Sequence, residues 1–302
     1  MKVIISTIGS AGDLHPFYQI AFEMKKRGHE ILFLSTSYYE EEIENFGFPF
    51  KSIGSKEGWQ KLIDMFDPEN ISAMMEYQMN YIILGTMKIN YDIIKSEQTE
   101  GETVTICSPM MPGPRIARDT LGIPMATMNL APSTFRSLMK PPRIDAQLVP
   151  ESEREHFHKN LFESIDTFVH SIVRDPINEY RKELKLPPVE HIFNWLESPD
   201  KIIGLFPNWY AEKQQDWPEQ ATLTTFPLFD GGADTHKILP QDLITFLNHG
   251  NAPIVFTPGS HFNKAVQFYQ TALEACTALN ERAVFLAKFP EQVPKDLPNT
   301  IF

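Results

Sequence analysis

Residues 1–36, MKVIISTIGSAGDLHPFYQIAFEMKKRGHEILFLST, decide the fold. The segment from Val3 to Ile8, apolar except for Ser6 and Thr7, reads as a buried strand. Phe17 to Lys26 then sets Phe17, Ile20, Ala21 and Met24 at helical spacing, and Gly28 supplies a stop. EILFLST, residues 30–36, is a second apolar run. Strand, helix and strand at this length form a βαβ unit, which requires parallel strands.

The turn of that unit, GSAGDLHPF at residues 9–17, carries an acid and an imidazole two residues apart. A dinucleotide-binding turn would need a third glycine in register and an acid about twenty residues on. Here no third glycine follows Gly9 and Gly12, and the second strand ends in Ser35, Thr36 and Ser37. Two readings stay open. Asp13 caps the helix, with Pro16 in its first turn, or the loop brings Asp13 and His15 to the carboxyl edge of the sheet, where open α/β folds bind ligands.

The alternation continues along the chain. TVTICSP (103–109), IPMATMNLAPS (123–133), DKIIGLFPN (200–208) and ATLTTFPLF (221–229) read as strands, and GPRIARDTLG (113–122) as a helix. Between them, residues 59–95 form a helical insertion rich in methionine and aromatics, and residues 151–184 form amphipathic helices that Pro176 should break. Residues 231–240 read as a linker after a domain at 1–230. A further βαβ follows at 241–302, from APIVFTPGS through a helix at about 263–280 to RAVFLAKF. The expected fold class is therefore α/β: a Rossmann-like N-terminal domain with a parallel sheet and the first part of a second such domain.

Composition narrows the function. A formal net charge of −12, from 27 basic and 39 acidic residues, argues against nucleic acid as a partner, because phosphate neutralisation needs clustered Lys and Arg. Two cysteines and no charged leader before an apolar stretch point to a reducing cytoplasm. No apolar run reaches the roughly 20 residues that span a bilayer. Residues 151–173 could lie on a membrane surface as a peripheral contact, with a packed helix the competing reading. Oligomeric state is not legible.

GSAGDLHPF, GPRIARDTLGIPMATMNLAPSTFRS, LFPNWYAEKQQDWPEQATLTTFPLFD and APIVFTPGS, in that order, resemble the GT-B glycosyltransferases of the bacterial rhamnosyltransferase and the macrolide, flavonoid and sterol glycosyltransferase types. The resemblance implies metal-independent, inverting transfer of a sugar from a nucleotide diphosphate donor, UDP- or dTDP-linked, to a hydroxyl. It implies no cofactor beyond that co-substrate. The N-terminal domain would hold a small-molecule acceptor and the C-terminal domain the donor.

An attacking hydroxyl needs a base within hydrogen-bond reach. The resemblance puts Asp13 in that role, with His15 the alternative. Aspartate ordinarily titrates near 3.9 and histidine near 6.5, so a carboxylate base needs help from burial. A histidine base would need a second acid where this chain has Ser108. Ser10 and Gly12, with Gly259 and Ser260 of TPGS, are the expected donor-side residues, since backbone N–H groups and helix N-termini suit phosphates. An ordinary βα turn is the competing reading of TPGS.

Met75 and Met79 of the insertion, with Pro132 and Phe135 of APSTFRS, are expected to line the acceptor pocket. Core packing is the competing reading for the methionines. Arg136 and Arg143 could meet an acceptor carboxylate or simply face solvent. The H-x-G-G-type loop and acid–amide pair that relatives use for donor binding are not found after residue 260, and His249-Gly250 lies before the strand. The expectation is therefore a truncated, inactive donor domain. The alternative function is a non-catalytic module that binds an acceptor or partner.

Overall fold

The computed structural model describes residues 1–65, 71–141, 149–229, 231, 239–259 and 264–302. Two compact units divide it, Met1–Phe229 and Asp230–Phe302. Most of the expected linker, 232–238, lies outside the described residues.

The first unit is built on seven strands: β1 (Lys2–Ser6), β2 (Glu30–Thr36), β3 (Phe50–Gly54), β4 (Thr103–Cys107), β5 (Met125–Asn129), β6 (Lys201–Gly204) and β7 (Ala221–Leu223). They pair in parallel in the order β3-β2-β1-β4-β5-β6-β7. The apolar runs are buried as both-face coverage requires: Ile4, Ile5, Phe33 and Leu34 are all 0% exposed. The helices of this unit are α1 (Ala11–Lys26), α2 (Glu40–Asn45), α3 (Lys56–Asp64), α4 (Ile71–Gln78), α5 (Gly85–Glu97), α6 (Pro112–Leu121), α7 (Arg154–Glu183) and α8 (Ile192–Leu196). A π-helical stretch, Met79–Leu84, joins α4 to α5.

Pro176 does not break its helix: α7 runs for 30 residues with the proline inside. An interior proline costs about 3 kcal/mol. Burial of Val169, Val173 and Ile177 on one face of α7 offsets that cost, and the same burial commits the apolar face to the core rather than to a bilayer. The far end of α7 is tied down by Arg181, which donates to Asp119 Oδ2 of α6 at 2.7 Å and to the Pro187 carbonyl at 2.9 Å. Trp195 Nε1 of α8 donates to the same Asp119 oxygen at 3.0 Å. Burial works against charge on Asp119, but the Trp195 and Arg181 hydrogen bonds and the charges of Arg115 and Arg181 hold its carboxyl below its ordinary value.

Pro16 likewise lies inside α1, which starts five residues earlier, at Ala11, and not at the proline. The carbonyl left without a donor belongs to Gly12, which is exposed to water. Strand β3 escaped the sequence reading because FKSIG has too short an apolar run. Only Ala221–Leu223 of the expected 221–229 strand pairs with its neighbour.

The second unit contains α9 (Gln241–Leu247), β8 (Ile254–Phe256), α10 (Val266–Leu279) and β9 (Ala283–Phe285). β8 and β9 pair in parallel. Tyr269, Ala272 and Cys276 of α10 pack with Phe285 and Ile301, and Tyr269 donates to the Leu286 carbonyl at 2.7 Å. No helix among the described residues is long and apolar enough to cross a membrane.

Candidate active site

The strand order reverses between β1 and β4, and ligands of open α/β sheets bind outside the carboxyl ends of the strands at such a point. The chain leaves β1 through Thr7, Ile8 and Gly9, and leaves β4 through Ser108, whose N–H donates to the Ser6 carbonyl at 3.1 Å. α1 begins at Ala11, so Asp13 is in its first turn, beside this crevice.

Ser10 fixes Asp13. Its N–H and its hydroxyl donate to Asp13 Oδ2 at 2.6 and 2.9 Å. Gly9 gives the carboxylate its room, because a Cβ there would stand 2.4 Å from both Cβ and Oδ2 of Asp13. Asp13 is half-buried. Oδ1 makes no hydrogen bond to another described residue. Ser10 is thus the N-cap, and Asp13 at N3 closes a capping box back to it through Oδ2. Asp13 also acts electrostatically on Tyr39, whose hydroxyl is pushed up chiefly by burial, then by Tyr38, Glu42 and Asp13.

The other expected residues fall out differently. His15 does not join Asp13 in a dyad. Its ring packs 5.2 Å from Phe229 and 5.9 Å from Tyr18, and the position expected for a second acid holds the buried Ser108. Ser10 is not free for a donor phosphate, since both its donors are spent on Asp13. Gly12 stands exposed in the first turn of α1. Gly259 adopts φ +92°, where a side chain would be strained, and its N–H donates to Thr257 Oγ1 at 3.3 Å. Ser260 lies outside the described residues.

On the acceptor side, Met75 is half-buried, but Met79 is a core residue at 4% exposure, as is Met87 at 3%. Phe135 is also core: it stacks on Trp217 at 4.0 Å and meets Phe206 edge-on at 6.2 Å. Pro132 is half-buried where the 3-10 turn Pro132–Phe135 starts. The tyrosines of the insertion have structural tasks. Tyr81 donates to the Ser55 carbonyl at 2.7 Å and Tyr77 to the Gly58 carbonyl at 3.2 Å, which anchors the insertion to α3. Arg136 is neither solvent-facing nor free; it pairs with Asp166 at 2.7 Å and stacks over Phe162 and Phe193. Arg143 lies outside the described residues.

Sequence reading missed Asn129 and Glu197, which line a small cavity at the carboxyl ends of β4 and β5. Asn129 was findable, as the last residue of a strand running to the ligand edge. Glu197 follows a five-residue helix and has no local signal.

Residues 3–140 match the glycosyltransferase family 28 N-terminal domain. A sterol 3-beta-glucosyltransferase of Arabidopsis thaliana, UGT80A2, is 22% identical over 285 residues, covering 86% of this chain. The chain spans 41% of that protein's length. The solved glycosyltransferase of kitacinnamycin superposes with a TM-score of 0.64 at 15% identity, covering 100% of this chain and 70% of that one. SsfS6 of Streptomyces sp. SF2575, solved with thymidine diphosphate, gives 0.59 at 13% identity over 98% of this chain and 70% of its own. The architecture is that of the GT-B glycosyltransferases. The match to the family 28 N-terminal domain falls within the first unit.

Proposed function

We propose that the first unit binds the acceptor and the second contacts the donor in an inverting glycosyltransferase. The donor is a UDP- or dTDP-linked sugar and the acceptor an apolar or lipidic alcohol. Asp13 Oδ1 takes the proton of the acceptor hydroxyl while that oxygen attacks the anomeric carbon from the face opposite the diphosphate. The new C–O bond forms as the old one breaks, and the nucleoside diphosphate leaves with the electron pair. The proposed transfer proceeds without a metal.

The observation that carries this reading is the Asp13 carboxylate, pinned by one oxygen at the switch point while the other meets no hydrogen-bond donor among the described residues. The pinning matters chemically, because a base held in one orientation loses less entropy in reaching the transition state. The relatives agree in kind: one is named for glucosylating a sterol, and another was solved with thymidine diphosphate.

The test is a transfer assay with UDP- and dTDP-sugars and an apolar alcohol, read by product mass. Asp13→Asn should abolish transfer while leaving the donor's melting-temperature shift in place. Undiminished turnover by Asp13→Asn would refute the assignment.

A further inference from the structure

Outside the turn that holds Asp13, the ligand edge of the first unit contains a separate, mostly apolar cavity of about 50 Å³ with a few polar groups in its wall. Its walls come from four places. Met110 follows β4, Thr127 and Asn129 end β5, and Arg136 and Glu197 arrive from the segments after the 3-10 turn and after α8. Most of its polar groups are already committed. Thr127 Oγ1 accepts from the Ser198 N–H at 3.2 Å, and Arg136 is held by Asp166 and by the Phe162 carbonyl.

Two groups are not. The Asn129 side chain, only 3% exposed, makes no hydrogen bond to another described residue. The half-buried Glu197 carboxyl makes none either. Buried polar groups in folded proteins almost always have partners, so Asn129, with none among the described residues and facing the same cavity as the half-buried Glu197, marks a place for a polar ligand group. Met110 and Arg136, on its rim, also take left-handed backbone conformations, at φ 68° and 51°. Burial raises the Glu197 carboxyl above its ordinary value, while Arg136 opposes that shift.

We infer that this cavity is an anchoring subsite for a second polar group of the acceptor, a hydroxyl that donates to Glu197 and is met by the Asn129 amide. The inference rests on the acceptor reading of the first unit. β5 lies two strands from β1, about 10 Å at the usual spacing. The acceptor class is therefore a rigid, largely apolar molecule with hydroxyls near both ends. One end would meet Asp13 and the other Glu197. A cavity of this size admits a hydroxyl and its carbon, not a ring.

The test measures binding by calorimetry with no sugar donor present, so it does not depend on turnover. The probes are a flat tetracyclic steroid diol with hydroxyls at opposite ends and the mono-ol that lacks the far one. The wild type should hold the diol roughly tenfold more tightly. Glu197→Ala should bring that ratio to about one. The isosteric Glu197→Gln, checked for an unchanged melt, should lower it several-fold. A ratio near one in the wild type, or an unaltered ratio in both variants, overturns the subsite. Sugar transfer to the mono-ol with a ratio of one would overturn the subsite and leave Asp13 standing. A tenfold ratio with no transfer would do the reverse.

Discussion

The two units of this chain use the same local device, an apolar strand running into a glycine turn and a helix, on very different support. In the first unit Val3, Ile4 and Ile5 of β1 are 2%, 0% and 0% exposed. In the second, Ile254 and Val255 of β8 are 44% and 58% exposed. The turns differ accordingly. After β1, Gly9 is buried and Ser10 and Asp13 lock each other; after β8, Thr257 and Gly259 are exposed. A parallel sheet stabilises a ligand edge only where both faces are covered, so rigid chemistry belongs to the first unit.

The largest effect should come from the chemistry of the rigid turn. Asp13→Asn should lower kcat by about 10²–10⁴-fold, the usual contribution of a positioned base, in a steady-state transfer assay. The comparison breaks if this variant turns over normally while a variant of the Thr257–Gly259 turn does not.

Core truncation should separate the units next. Phe33→Ala should cost about 3–5 kcal/mol in denaturant unfolding, because Phe33 is wholly buried. Ile254→Ala should cost under about 0.5 kcal/mol, as exposed substitutions do. Equal losses would mean that β8 is covered in solution. Gly259→Ala, at about 1 kcal/mol by the same measurement, tests the second turn alone, since alanine is strained at φ +92°.

The smallest effect is acid sensitivity in the first unit. Hydrogen bonds from Lys2 and Lys51 hold the Glu97 carboxyl at about 2. An unfolded glutamate titrates near 4.3, so the folded state binds that proton less readily. The stabilisation is complete above about pH 4.3 and lost as pH falls towards about 2. Glu97→Gln should flatten the melting-temperature profile in that window by about a degree, because the cluster is only partly buried and stays screened by solvent. An unchanged profile would show that other carboxylates govern the acid limb.

The fold was legible because it is written in local pattern. Apolar-rich, β-branched segments at 3–8, 30–36 and 103–107, with helical spacing between them, leave parallel α/β as the economical solution, and β1, β2 and β4 fall there. What local pattern could not resolve was every choice made by packing. Pro176 stays helical because Val169, Val173 and Ile177 hold α7 to the core. A methionine-rich insertion suggests a pocket or core for Met79, and a place just after a strand at the carboxyl edge suggests a pocket for Phe135, yet neighbours far away in sequence bury both.

By itself, then, the sequence determined the order of strands and helices and the turn where an acid stands at a helix start, since both follow from side-chain periodicity and backbone preference among near neighbours. Tertiary structure alone decided that His15 turns to Phe229 and that Asn129 meets Glu197 at one cavity. The residues of that cavity arrive from separate strands and loops, and only closure of the sheet brings such groups to one place.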